Sequence, residues 1–331
     1  MLVNFREKTS NYRQVAFSKE GNVDTLDLLI LDGRHLLWRA ASVFGDLSAN
    51  VSGEDVRTGG MYGFLRISLA CWVEFGGITF VAWDHPRGPT TRRMMFDGYK
   101  GHRNSDGESS DDPSVAQRRQ IVEMLREQEA GLRRLLPIIG IRQADAEGWE
   151  ADDVIATLCS RFKSSKIGIL SGDRDLLQLV NENVSLIRPI PRSKFKIETP
   201  ESVKAELGIT PEMVLDMKAL AGDASDHIPG ARGIGQKTAI KLLLEHGKWH
   251  DVLDWAMANK PEKKWHQSLI DSAADVRLSA ALVNLNRAVH IKMYPANQNR
   301  RRALLELAKL KFHSLMVDAR RHQLFSMGME K

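Results

Sequence analysis

Three short apolar runs stand out along the chain, and each closes on an acidic residue. "DLLILDG" (27–33) reads as a buried strand running into a turn; "GITFVAWD" (77–84) is the second such run and "KIGILSGD" (166–173) the third. Between them the apolar positions recur at helical spacing, as in "GFLRISLACWVEF" and "DDVIATLCSRF". Strands alternating with helices predict an α/β fold with a mostly parallel central sheet and flanking helices. Ligands of such sheets bind beyond the carboxyl ends of the strands, so Asp32, Asp84 and Asp173 are expected on one edge.

The pattern changes in four places. Residues 1–25 read as a polar N-terminal extension, followed by the α/β core over 26–200. Within the core, "NSDGESSDDPS" (104–114) is a polar, low-complexity stretch. Asp112-Pro113 then resembles a helix cap with proline at the first helical position. From there to Pro137 a helix places Ile121, Leu125, Leu132 and Leu136 on one side. Arg118, Arg119, Arg126, Arg133 and Arg134 are interspersed with acids, which leaves an exposed amphipathic helix and a nucleic-acid contact both open. Residues 201–294 turn helical, with "TPEMVLDMKALAG" (210–222) leading through "DASDHIPGARGIG" into "QKTAIKLLLEHG" (236–247) and Gly247 as a C-terminal cap. A helical tail, 295–331, contains the Arg300–Arg302 triplet.

With 331 residues, 43% hydrophobic and 27% charged, the chain reads as globular protein. Its net charge of +5 tilts the expectation toward a polyanionic partner. Cys71 and Cys159 lie in apolar stretches and are expected as buried free thiols, which suits the cytoplasm, or the host cytoplasm if the source is viral. No run of about 18 apolar residues marks a membrane span, and the N-terminus lacks the layout of a secretory signal.

Acidic residues cluster beyond the strand ends. "WEADD" contributes Glu150, Asp152 and Asp153; "SGDRD" contributes Asp173 and Asp175; "GDASD" contributes Asp223 and Asp226. Singly, each has a structural explanation: Asp152 and Asp226 as helix caps, Asp173 as the start of a turn. Together they demand more, because two bare carboxylates about 4 Å apart repel by roughly 4 kcal/mol at an effective dielectric near 20. Oxygen ligands without His or Cys at ligand spacing suit Mg²⁺ or Mn²⁺, and two such ions suit phosphodiester hydrolysis. The segment "GARGIGQKT" (230–238) comes close to an NTPase phosphate loop, but Gln236 interrupts the required Gly-Lys and no strand leads into it. Gly233 and Gly235 instead offer backbone N–H groups and a helix start to a phosphate, with Lys237 and Thr238 alongside.

In order, "LILDG", "FVAWD", "YKGHR", "WEADD", "SGDRD" and "GDASDHIPGARGIGQKTA" resemble the motifs of the structure-specific 5′-nuclease (flap endonuclease) family. That family occurs free-standing in bacteriophages and fused to bacterial DNA polymerase I. The resemblance covers about residues 26–290 and leaves residues 1–25 and the tail without counterpart. It implies that Asp32, Asp84, Glu150 and Asp152 ligate a first metal ion. Asp153, Asp173, Asp175, Asp223 and Asp226 would surround a second. Tyr99, Lys100 and Arg103 would form the base of a helical arch over 104–136, although its tip is acidic where a DNA passage favours basic side chains. Lys100 and Arg103 would hold the scissile phosphate, and the Tyr99 ring would stack on an unpaired base. Residues 216–246 would form a helix–three-turn–helix element gripping duplex DNA, often with a bound K⁺ in this family.

The expected function is therefore a divalent-metal-dependent, monomeric, free-standing 5′-nuclease on branched or 5′-ended DNA in replication or repair. RNA primers are among its expected substrates. An inactive DNA-junction binder and an RNA-directed nuclease of related fold are the alternatives.

Overall fold

The computed structural model describes residues 25–51, 53–100, 113–191, 194–261, 263–320 and 323–328. The polar extension, the arch tip and Arg103 thus lie outside the described residues. In chain order the core comprises β1 (Leu28–Asp32), α1 (Gly33–Phe44), the hairpin β2 (Ser48–Val51) and β3 (Glu54–Arg57), α2 (Gly59–Phe75), β4 (Ile78–Ala82), α3 (Thr90–Met95) and α4 (Pro113–Ile139). It continues through β5 (Arg142–Asp145), α5 (Ala151–Arg161), β6 (Ile167–Leu170), a 3₁₀ turn (Asp175–Leu179), β7 (Val184–Ile190), β8 (Lys194–Glu198) and α6 (Pro200–Leu207). Helices α7 (Met213–Ala221), α8 (Gln236–His246), α9 (Trp249–Ala258), α10 (Lys264–Asp271) and α11 (Ala273–Val283) follow. Last come β9 (Lys292–Tyr294), α12 (Arg300–Lys309), α13 (His313–Arg320) and α14 (Gln323–Ser326).

The main sheet runs β8-β7-β6-β1-β4-β5-β9. Its inner strands are parallel, while β8 and β9 pair antiparallel at the two edges. Every residue of β1 is buried, as a strand covered on both faces requires. Alternation divides it: Leu28 and Ile30 join one core layer, Leu29 and Leu31 the other. Asp32 stands opposite Ala82 and Leu31 opposite Leu170, so Asp84 and Asp173 follow their strands onto the edge where Asp32 closes β1.

The layer beneath Leu28 and Ile30 is continuous from α5 (Val154, Ile155, Leu158) into Val214, Leu242, Val252 and Val276 of the helical region. The opposite layer takes Leu36 and Leu37 of α1, Phe64 and Leu65 of α2, and Leu132 and Leu136 of α4. It is closed by Leu307, Leu315, Leu324 and Phe325. The helical tail packs into this core: the Met327 carbonyl accepts from Thr79 N–H at 2.8 Å, and the Gly328 carbonyl from Arg142 Nη1 at 3.2 Å. Within the stretch expected as an arch, Leu125, Leu132, Leu135 and Leu136 are core residues, whereas Ile121 is 37% exposed. Cys71 and Cys159 are buried and free. Among the described residues no helix is long and apolar enough to cross a membrane.

Candidate active site

The strand ends deliver their acids together, and the same oxygens serve the local fold. Asp32 Oδ1 accepts from His35 N–H at 3.2 Å, capping α1, while Oδ2 accepts from Ser171 Oγ at 2.7 Å. Asp84 Oδ1 accepts from Ala151 N–H at the start of α5 at 2.9 Å, and its Oδ2 lies 3.3 Å from Arg34 Nη1. Asp173 Oδ1 accepts from Asp175 N–H at 2.9 Å, an Asx turn. For Asp32 and Asp173, capping or turn formation and membership of the acidic cluster are compatible.

Electrostatic strain marks the centre of this cluster. Burial pushes the Asp32 carboxyl up to about 6; His35 and the Ser171 hydrogen bond oppose the rise, while Asp173 and Asp84 add to it. Burial and then Asp173 push Asp175 up to about 6 against the pull of Lys218. Asp152, on the first turn of α5, is held well above the carboxylate range by burial, then by Asp173, Asp32 and Glu150. Burial is the largest cause in all three and the neighbouring carboxylates add to it; a cation among these acids would oppose both.

Two lysines reach into the acids. Lys100 Nζ pairs with Glu150 Oε1 and lies 3.4 Å from Asp226 Oδ2; its own N–H donates to the Asp226 carbonyl at 3.1 Å. The residue adopts a left-handed backbone, φ 51°, an uncommon conformation for a side chain of this size. Lys218 Nζ, from α7, pairs with Asp175 Oδ1 and lies 2.6 Å from Asp223 Oδ2.

Two expectations are corrected. The Tyr99 ring is only 3% exposed and packs with Ile228, Leu282 and Val283, so no face is open to a base. Its hydroxyl instead donates to Glu150 Oε2 at 2.8 Å, orienting that carboxylate. Asp153 leaves the acid set: fully buried, it accepts from Arg92 Nη1 at 2.5 Å, Arg92 Nη2 at 2.9 Å and Asn286 N–H at 2.9 Å. Arg92 also donates to Glu150 Oε2, the Leu282 carbonyl and the Asn284 carbonyl, so every guanidinium N–H has an acceptor. Burial works to raise the Glu150 carboxyl, but Lys100, Arg92 and Tyr99 outweigh it and hold it below the usual range.

Arg92, Lys218 and Arg133 are site-supporting residues missed in the sequence. Nothing distinguishes Arg92 from Arg93 in "TTRRMM". Lys218 did leave a signal, as the lone basic residue in "MVLDMKALA". Arg133 stacks on Trp83, its Cζ 4.9 Å from the ring centroid, and reaches Glu129 and Asp145 at 3.0 Å and the Asp84 carbonyl at 3.1 Å. That arginine supports the acidic edge from within and is not part of an exposed basic face.

The glycine segment projects between α7 and α8. A Cβ on Gly230 would strike the backbone of Gly222, so the two limbs of the turn close only with glycine at that contact. Gly233, at φ 78°, needs the left-handed region, and open space lies where its Cβ would be. Gly235 starts α8 without a side-chain cap, and Lys237 is exposed beside it. Serines pin the turn from behind: Ser279 Oγ accepts from Gly230 N–H at 2.9 Å and Ser272 Oγ from Arg232 N–H at 3.2 Å.

Asp32, Asp84, Glu150, Asp152, Asp173, Asp175, Asp223 and Asp226 supply oxygen donors, the set suited to hard divalent cations. Among the described residues they form an open cluster; no three acidic, histidine or cysteine side chains close on a single point. Open geometry fits an ion that keeps several of its waters and takes only one or two carboxylates at a time.

Two family models match the chain. The N-terminal resolvase-like domain of 5′-3′ exonucleases matches residues 27–208, and the C-terminal SAM fold of 5′-3′ exonucleases matches 209–304. Thermostable DNA polymerase I of Thermus filiformis is 32% identical over 312 residues, covering 92% of this chain and 34% of the relative. DNA polymerase I of Streptococcus pneumoniae is 34% identical over 271 residues, with 80% and 29% covered. The chain therefore spans about a third of the length of these relatives, and the longer match extends past the stretch, 26–290, on which the motif resemblance rested. Among solved structures, bacteriophage T5 5′-exonuclease with zinc ions has a TM-score of 0.63 at 20% identity, with 88% of this chain and 99% of that one covered. Flap endonuclease-1 from Methanococcus jannaschii has a TM-score of 0.59 at 15% identity, with 92% and 93% covered.

Proposed function

This chain belongs to the 5′-3′ exonuclease family, and on that premise we propose that it hydrolyses phosphodiesters of 5′-ended or branched DNA near the junction of single strand and duplex. The observation that carries the proposal is the acidic edge, where the acids that close the parallel strands converge and Lys100 pairs with Glu150 and Asp226 while Lys218 pairs with Asp175 and Asp223. The reading is supported by the T5 flap endonuclease fold, known in a complex with DNA and metal ions. Replication or repair is the proposed setting, and the chain acts as a monomer.

Asp32, Asp84, Glu150 and Asp152 would hold one divalent ion, Mg²⁺ or Mn²⁺, and Asp173, Asp175, Asp223 and Asp226 a second. Such ions supply activation of water and stabilisation of the leaving oxygen. The chain's own groups then position the phosphate. Lys100, transferred from Glu150 and Asp226 to a non-bridging oxygen, offsets the charge that grows in the transition state, a role the family resemblance extends to Arg103. Tyr99 and Arg92 keep Glu150 oriented throughout. At the other region, the N–H groups at the start of α8 and the Lys237 ammonium grip the duplex backbone and set its register. The family resemblance adds K⁺ at that turn, and RNA primers among the substrates.

The test is cleavage of a 5′-labelled flap, a nicked duplex and a single strand, each as DNA and as RNA, with Mg²⁺ and with EDTA. Expected is Mg²⁺-dependent cleavage near the junction, leaving 5′-phosphate and 3′-hydroxyl ends. Binding of the flap without cleavage under any divalent ion would establish the inactive junction-binding alternative, and cleavage of RNA alone would establish the other.

A further inference from the structure

Lys218 contributes something that phosphate gripping does not explain. Its side chain is only 14% exposed, and its ammonium bridges Asp175, at the head of the 3₁₀ turn, and Asp223, at the start of the loop that follows α7. These two acids come from separate parts of the fold, one from the sheet edge and one from the helical region. Each is also tied locally: Asp175 N–H to Asp173 Oδ1, and Asp223 Oδ1 to Ser225 N–H at 2.9 Å and Ser225 Oγ at 2.5 Å. Lys218 thus holds one carboxylate oxygen of each acid, Asp175 Oδ1 and Asp223 Oδ2, while Ser225 takes the other oxygen of Asp223.

We propose that Lys218 is a tethered counter-ion of the second cation site, holding Asp175 and Asp223 together and competing with a divalent ion for the same oxygens. The inference rests on the two-ion reading above. An ammonium is a compact point charge on a flexible stem, so it can occupy a carboxylate pair and withdraw without leaving the fold. A divalent ion entering between these acids meets that positive charge within a few ångströms and must expel it. Lys218 therefore keeps the second site weak in the free protein. It also keeps the acids from repelling one another apart before the ion arrives. Lys218 is a positioning residue in this scheme, since it acts through Asp175 and Asp223.

Two measurements without DNA test it. Mn²⁺ binding to the whole protein, followed by calorimetry, should show two classes of ion, with the weaker class lost in Asp175→Asn. In Lys218→Met, which keeps the apolar stem and removes the charge, the weaker class should tighten by roughly tenfold or more. An unchanged or weakened second ion would overturn the proposal and leave Lys218 a purely structural bridge. Loss of all Mn²⁺ binding in the wild-type protein would instead overturn the two-ion reading itself. The second measurement needs no variant. Amine acetylation of the wild-type protein, read peptide by peptide, should rise at Lys218 when Mg²⁺ is added and stay constant at exposed Lys237. Equal labelling of Lys218 with and without Mg²⁺ would also overturn the proposal.

Discussion

At the sheet edge the working groups are side chains, and their supports come from far along the sequence: Ser171 holds Asp32, Ala151 N–H holds Asp84, Arg92 and Tyr99 hold Glu150. At the glycine turn between α7 and α8 the proposed working groups are mostly backbone amides, presented by a loop that glycine conformation shapes locally and that Ser272 and Ser279 pin from behind. The first region concentrates like charges that resist one another; the second concentrates donors that are left without side-chain caps. On the proposed function, chemistry falls to one region and grip to the other, and a variant in each should fail in a different way.

The largest effect is expected at the acidic edge. Asp173→Asn removes a carboxylate at the centre of the cluster and should nearly abolish Mg²⁺-dependent cleavage, while DNA binding in Ca²⁺ stays intact or tightens with one negative charge fewer. Substantial turnover by this variant would dissolve the division of labour. Lys100→Ala comes next, with a fall of about 10²–10³ in the single-turnover rate at saturating enzyme and a much smaller change in binding. A normal saturated rate with weak binding would move Lys100 from chemistry to grip.

Arg92→Ala tests what supports the edge. Removing one partner from a buried ion pair leaves Asp153 uncompensated and should cost about 3–5 kcal/mol of stability, read by denaturant unfolding. A loss under about 1 kcal/mol, the range of a surface pair, would mean that Arg92 is not what holds Asp153 and Glu150 in place. Lys237→Ala should produce the smallest change: the saturated rate is unaltered, and the plot of log affinity against log salt becomes shallower by about one unit. A collapsed saturated rate there would make the glycine turn part of the reacting centre.

The same contrast explains what could be read beforehand. Buried strands such as "DLLILDG" announce themselves by apolar runs, and because parallel strands share a polarity, their terminal acids had to meet on one edge. The glycine turn was legible because its glycines lie within a few positions of one another, although the serines that pin it, Ser272 and Ser279, were not. Arg92 was not, since its partners Glu150 and Asp153 lie 58 and 61 residues away and its burial follows only from the assembled fold. Tyr99 and Asp153 misled for a related reason. Motif position gave their neighbourhood, but which way each side chain turned was decided by Leu282, Val283 and Arg92. The short edge strand β9, "KMY", carries no run long enough to signal itself and forms where β5 leaves an edge unpaired.

Arg92 has one consequence for how the molecule comes apart. Its guanidinium can shed water only when α5 and the end of α11 have both arrived, the latter from 190 residues away. Until then it is a hydrated charge in a place built for a dry one, so neither the sheet nor the helical region gains a finished interior alone. The core layer that runs without a break from Ile30 through Val154 to Val276 imposes the same condition. Although the two family models divide the chain at residue 208, heat or denaturant should therefore meet one cooperative transition instead of two.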